Sequence, residues 1–149
     1  MMSHDGSAIG HARPYVIAEV GSTHDGSLGN ALRMVEVFAK RGASAIKFQD
    51  HRWQLIDEHA KHPPCFQGAI TESRRDYIER TCFDTRQWCC LSDACKRNGV
   101  DFIVSPFSST AAKTIAPLVD YFKVASGQVT NLELLREIKS SGRPVFVSS

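Results

Sequence analysis

Residues 121–131 read YFKVASGQVTN, and the reading of this stretch decides the fold. A run of strand-forming residues carries Lys123 in its middle, breaks at Ser126-Gly127, and restarts as a helix behind Asn131. That is the sequence form of a strand, a tight turn and a capped helix. Asn131 can accept a hydrogen bond from the first free N–H groups of LELLREIKSSG, and Gly127 admits backbone angles that a side chain would forbid. Free N–H groups, a hydroxyl and an ammonium converge at such a turn, a combination suited to a phosphate or carboxylate. The plainer reading is an ordinary βα loop with a solvated lysine, and this stretch alone leaves both open.

The neighbouring segments repeat the pattern. Upstream, DFIVS at 101–105 is a strand, followed by Pro106-Phe107 and a helix capped by Ser108 or Ser109 that ends before Pro117. Downstream, the helix stops at Gly142 and PVFVS at 144–148 is another strand. Nearer the start, YVIAEV at 15–20 is a nearly continuous apolar run, as expected of a strand covered on both faces, with Glu19 the exception. The chain then turns through GSTHDG, and a helix begins near Asp25 or Ser27. Leu28, Ala31, Leu32, Val35, Phe38 and Ala39 mark its apolar face, and Gly42 stops it. SAIKFQ at 44–49 is a strand in which Lys47 and Gln49, two residues apart, point to one side.

From Asp50 to about Ser73 no period survives, and the spacing predicts a long loop containing Pro63-Pro64 and several histidines. Residues 74–81 read as a short helix. Asp84 with Gln87 forms a capping box for the next, whose face includes Trp88, Leu91 and Cys95 and which stops at Gly99. Residues 1–14 form a flexible leader, with at most a small β-element around 7–10. The domain proper is 15–149.

Strands alternating with amphipathic helices predict an α/β fold with an all-parallel sheet, either closed as a (β/α)8 barrel or open and doubly wound. In both, the functional edge is where strands run into the following loops. Glu19, His24, Lys47, Gln49, Ser105, Lys123, Ser126 and Ser148 all fall at that edge. So many polar groups on apolar strands are costly to bury unless they pair or bind something. Each taken singly reads as a satisfied structural residue; Glu19 could simply pair with Lys47 or Lys123.

Composition narrows the function classes. Of 149 residues 42% are hydrophobic and 23% charged, the balance of one ordinary globular domain. Eighteen basic against sixteen acidic residues leave a net charge of +2, with no basic stripe, which argues against nucleic acid as the main partner. Apolar runs are only strand-sized and the leader is polar, so neither a membrane span nor a signal core is expected, and a cytoplasmic location is. Five cysteines without a C-x-x-C pair point to reduced thiols rather than disulfides or a zinc site.

Together, IAEVGSTHDG, GASAIKFQ, DFIVSPFS, YFKVASGQVTNLELL and GRPVFVSS resemble, in order and spacing, the N-acetylneuraminate (sialic acid) synthase family, which includes synthases of legionaminic and pseudaminic acids. The resemblance implies a (β/α)8 TIM barrel, of which this chain covers about the first five strands. It implies condensation of phosphoenolpyruvate with an N-acetylated sugar aldehyde such as N-acetylmannosamine, giving a nonulosonic acid and phosphate. It also implies a divalent metal, Mn2+ or Mg2+, with ligands beyond residue 149, and a homodimer in the full-length form. Carried over by motif, Lys47 and Lys123 match lysines that hold phosphoenolpyruvate, with Ser105, Ser126 and Ser148 as hydroxyl partners. Glu19 matches a carboxylate near the metal and the reacting water, Gln49 a sugar-contacting glutamine, and His24 a histidine that supports its loop or touches substrate.

Two positions depart from that pattern. Thr23 stands where the family usually has Asn, and Gln128 where it commonly has Glu. Gln128 can hydrogen-bond a sugar hydroxyl but cannot act as a general base. A five-stranded part of a barrel is expected to have two open edges and an exposed inner layer, and little or no synthase activity by itself. The competing readings are a non-catalytic half-barrel that binds an anion or serves assembly, and another phosphoenolpyruvate aldol-type synthase.

Overall fold

The computed structural model describes residues 14–52 and 74–148. The leader, the histidines 59 and 62, Cys65 and most of the expected long loop lie outside the described residues. In chain order the elements are β1 (Ile17–Gly21), α1 (Leu28–Lys40), β2 (Ala45–Asp50), α2 (Arg74–Thr81), α3 (Thr85–Arg97) and β3 (Asp101–Pro106). After β3 come α4 (Ser109–Ile115), β4 (Tyr121–Val124), a 3-10 turn (Ser126–Gln128), α5 (Leu132–Ser140) and β5 (Val145–Val147). The strands pair in sequence order, every pair parallel.

Local chemistry accounts for the helix starts. Ser27 accepts from the Asn30 N–H at 3.2 Å, Ser108 from Ala111 at 3.1 Å, and Asn131 from Leu134 at 3.1 Å. Each meets one of the N–H groups that a first turn leaves without a partner. Asp84 and Gln87 bond reciprocally at 2.8 Å, the capping box expected from their spacing. Asp25 does not cap; it sits in the turn with φ 54 and leaves that task to Ser27.

Gly127 was expected to use glycine's freedom, yet it is absent from the positive-φ residues and an added Cβ would meet nothing within 4 Å. The break after β4 is a 3-10 turn closed by Gln128 N–H to Ala125 O at 2.8 Å, which needs only right-handed angles.

The two faces of the sheet divide cleanly. Ile46, Phe48, Phe102, Val104, Phe122 and Val124 are fully buried against Val35, Trp88, Leu91, Ile115 and Leu134 of the helices. Burying each such side chain contributes about 1.5–3 kcal/mol. The opposite face carries Glu19, Lys47, Gln49, Ser105 and Lys123. That face is concave: Tyr15, just before β1, has its ring 6.4 Å from Tyr121 on β4, two strands away from direct pairing. The inner layer is exposed in part: Glu19 is open to solvent, its side chain 47% exposed, while the large exposed apolar side chains lie elsewhere. Ile103 is fully buried, whereas Val145 and Val147 on the outer face of β5 are 44% and 60% exposed. No helix among the described residues is long and apolar enough to cross a membrane.

Candidate functional site

The site begins with an irregularity in β1. Glu19 pairs with Lys47 in register, but the next partner of Phe48 is Gly21, so β1 holds one extra residue. Gly21 takes φ 55, and a Cβ there would lie 3.1 Å from Glu19 Oε1 and 3.4 Å from Gln49 Nε2. The bulge ends the ladder and leaves room for a carboxylate and an amide to meet. Gln49 Nε2 donates to Glu19 Oε1 at 3.3 Å, and Lys47 forms an ion pair with Glu19 Oε2. Of the two partners the sequence offered Glu19, the structure gives it Lys47.

Lys47 also donates to Ser105 Oγ at 3.5 Å from β3. Lys123 donates to Val124 O at 3.0 Å and to Ser148 Oγ beyond β5. An ammonium has three N–H donors, so each lysine keeps one unengaged by these partners. The two cations sense each other: the Lys123 pKa is lowered, first by burial and then by the Lys47 charge, with Glu19 opposing. Two ammonium groups and one carboxylate leave a positive balance at the strand ends, favourable to an anion.

Ser126 and Gln128 do not join this network. Ser126 is exposed at the start of the 3-10 turn, and Gln128 Oε1 accepts from Asn131 Nδ2 at 2.9 Å. His24 is only 1% exposed and stacks on Phe83 with centroids 4.3 Å apart. Its Nδ1 accepts from the Gly26 N–H at 3.1 Å, so the ring braces the β1–α1 turn. Burial lowers the His24 pKa from 6.5, with Asp25 opposing. The unfolded chain therefore binds more protons, and this contribution to stability is full above pH 6.5 and lost as pH falls below it. His24→Asn, whose Oδ1 can take the same N–H, is expected to show a shallower loss of melting temperature between pH 7 and 5 than the parent chain.

Two features escaped the sequence reading. His51 Nε2 lies 3.0 Å from Gln49 Oε1, and its ring stacks on Phe107 at 4.0 Å. Strand parity continued past Gln49 would have placed it on the same side. The second feature is a buried ion pair at the end of β2. The Asp50 side chain, 0% exposed, takes the Arg52 backbone N–H at 3.0 Å and its guanidinium at 2.7–3.1 Å. Arg52 also lies over the Trp88 ring, 6.0 Å from its centroid. Nothing local in the sequence marks this pair.

No group of three or more His, Cys, Asp or Glu able to hold a metal occurs among the described residues. Both Glu19 oxygens are already engaged. The described residues do not fit a divalent-metal centre, and no step is derived through one.

A parallel sheet of consecutive β/α units, carrying charged groups at its carboxyl ends, defines the class as part of a (β/α)8 barrel. The solved N-acetylneuraminic acid (sialic acid) synthetase from Leptospira borgpetersenii, in complex with citrate, has this fold. It superposes with a TM-score of 0.73 at 24% identity, over 95% of this chain and 48% of that one. The chain belongs to the NeuB family, whose profile matches residues 34–149. It is 29% identical over 139 residues to N,N'-diacetyllegionaminic acid synthase of Campylobacter jejuni, covering 90% of this chain and 41% of that protein. It is 27% identical over 148 residues to N-acetylneuraminate-9-phosphate synthase of Homo sapiens, covering 97% of this chain and again 41% of the relative.

Proposed function

We propose that the strand-end site binds phosphoenolpyruvate and that, within a complete barrel, it serves condensation with an N-acetylated sugar aldehyde to give a nonulosonic acid and phosphate. The observation that carries this reading is the pair of ammonium groups, Lys47 and Lys123, each with a donor left after Glu19, Ser105, Ser148 and Val124 are served. Phosphoenolpyruvate presents a phosphate and a carboxylate, one for each cation. Kinship with synthases of legionaminic and sialic acids supports the reaction class.

Glu19 is held by Lys47 and Gln49 where a carboxylate can orient a water. The divalent metal that belongs to this proposal would be held by parts of the protein other than the described residues. A homodimer is part of the same proposal. The non-catalytic reading keeps one observation in its favour: Gln128 is an amide, already bonded to Asn131.

Titration of the purified chain with phosphoenolpyruvate, followed by calorimetry, tests binding. Addition of Mn2+ and N-acetylmannosamine then tests catalysis by phosphate release. Saturable binding with little or no phosphate is expected. Absence of binding would remove the proposal; release that depends on the N-acetylhexosamine would remove the expectation that these residues alone are inactive.

A further inference from the structure

We propose that His51 is a positioning residue of this site, locking the Gln49 amide and through it the Glu19 carboxylate. The inference rests on the anion-binding reading above only for the consequence, not for the geometry.

The direction of the relay follows from hydrogen-bond chemistry. An ionised carboxylate only accepts, so at Glu19 Oε1 the Gln49 group facing it must be the N–H-bearing nitrogen, as its 3.3 Å contact shows. Gln49 then turns its oxygen toward His51, 3.0 Å away, and that oxygen only accepts. His51 Nε2 therefore carries a hydrogen. An Nε2–H is present in the neutral tautomer this fixes and in the imidazolium alike. Stacking on Phe107 at 4.0 Å holds the ring in plane for the contact.

The chain of bonds runs His51 to Gln49 to Glu19 to Lys47 and so sets where Lys47 can present its remaining donor. Without His51, the Gln49 amide is free to flip. A flipped amide would turn its oxygen against the carboxylate, and Glu19 would lose one of its two anchors.

Paired substitutions separate this role from packing. His51→Gln and His51→Leu both abolish the stack on Phe107, but only glutamine restores an N–H donor of similar reach without adding charge. In side-chain amide NMR spectra of the full chain, the Gln49 NH2 pair should keep its hydrogen-bonded shifts in His51→Gln and move to free-amide positions in His51→Leu. Phosphoenolpyruvate affinity should stay within about twofold of the parent in His51→Gln and fall about tenfold in His51→Leu. Equal behaviour of the two variants, whether both impaired or both intact, would overturn the relay. A parent chain that shows the Gln49 pattern but binds no phosphoenolpyruvate would instead overturn the functional proposal and uphold the relay.

Discussion

Gly26→Ala should unfold the chain at a markedly lower temperature than any other single methyl addition to its turns. Gly26 holds φ 79, and a Cβ built there falls inside the van der Waals envelope of the Arg80 carbonyl oxygen, a backbone atom rather than the end of a flexible side chain. Left-handed strain adds about 1 kcal/mol, and parting the β1–α1 turn from the end of α2 adds more, for a total of about 3 kcal/mol. For a domain of this size that is a drop of roughly 6–12 °C. The same displacement would pull on the Asp25–Arg80 ion pair and the His24–Phe83 stack, which join the same two segments. Gly127→Ala supplies the control. With ordinary angles and open space around it, it should change stability by less than about 1 kcal/mol. Thermal unfolding of both variants checks the pair, and a Gly26→Ala protein that melts with the parent would show that the approach to Arg80 is not tight.

Phosphoenolpyruvate binding should fall by about 100-fold in Lys123→Met and in Lys47→Met, since each removes a charge-assisted hydrogen bond worth about 1.5–3 kcal/mol together with half of the positive field. Melting temperature should barely move, because neither lysine belongs to the apolar core. The pH profile reports on Lys123. Lys123 has its pKa lowered from 10.5 by burial and by Lys47, so its ammonium is lost earlier on the alkaline side than that of an ordinary lysine. Affinity should decline from that lower pH. The folded chain also binds fewer protons at Lys123 than the unfolded one there, so folding gains slightly as pH approaches 10.5. In Lys47→Met the Lys123 resonances should titrate at higher pH than in the parent. An unchanged titration would place the two cations too far apart to share one ligand.

What the sequence disclosed was governed by range. The caps at Ser27, Asp84, Ser108 and Asn131 were readable, at least to within a residue or two, because a cap and its target are three residues apart. The side shared by Lys47 and Gln49 was readable because pleating alternates strictly. The bulge at Gly21 was not, since it exists only relative to β2. Nor could Glu19's choice of Lys47 over Lys123 be read, because strand register decides it. Gly26 and Gly127 look equally permissive in the sequence; the positive φ of Gly26 and its approach to Arg80, remote along the chain, tell them apart. The Asp50–Arg52 pair needed the knowledge that Asp50 points into the helix layer, where a lone carboxylate could not remain.

The sequential strand order also bears on how the sheet assembles in time. Each strand needs only its predecessor, but the loops to be closed differ greatly. Ile103 meets Tyr121 across one short helix, whereas Ala45 meets Asp101 across a stretch of chain that includes residues 53–73 and two helices. The second loop is roughly three times longer, which adds about 1 kcal/mol of closure entropy. The βαβ unit of β3, α4 and β4, extended by α5 and β5, should therefore form ahead of its junction with β2. Lys123 and Ser148 would then be in place early, while Glu19, Lys47 and Gln49 join them only when the slow closure is made. The strand-end cluster is thus the last seam of the sheet to be sewn, and a ligand that bridged Lys47 and Lys123 would hold together the two halves that meet latest.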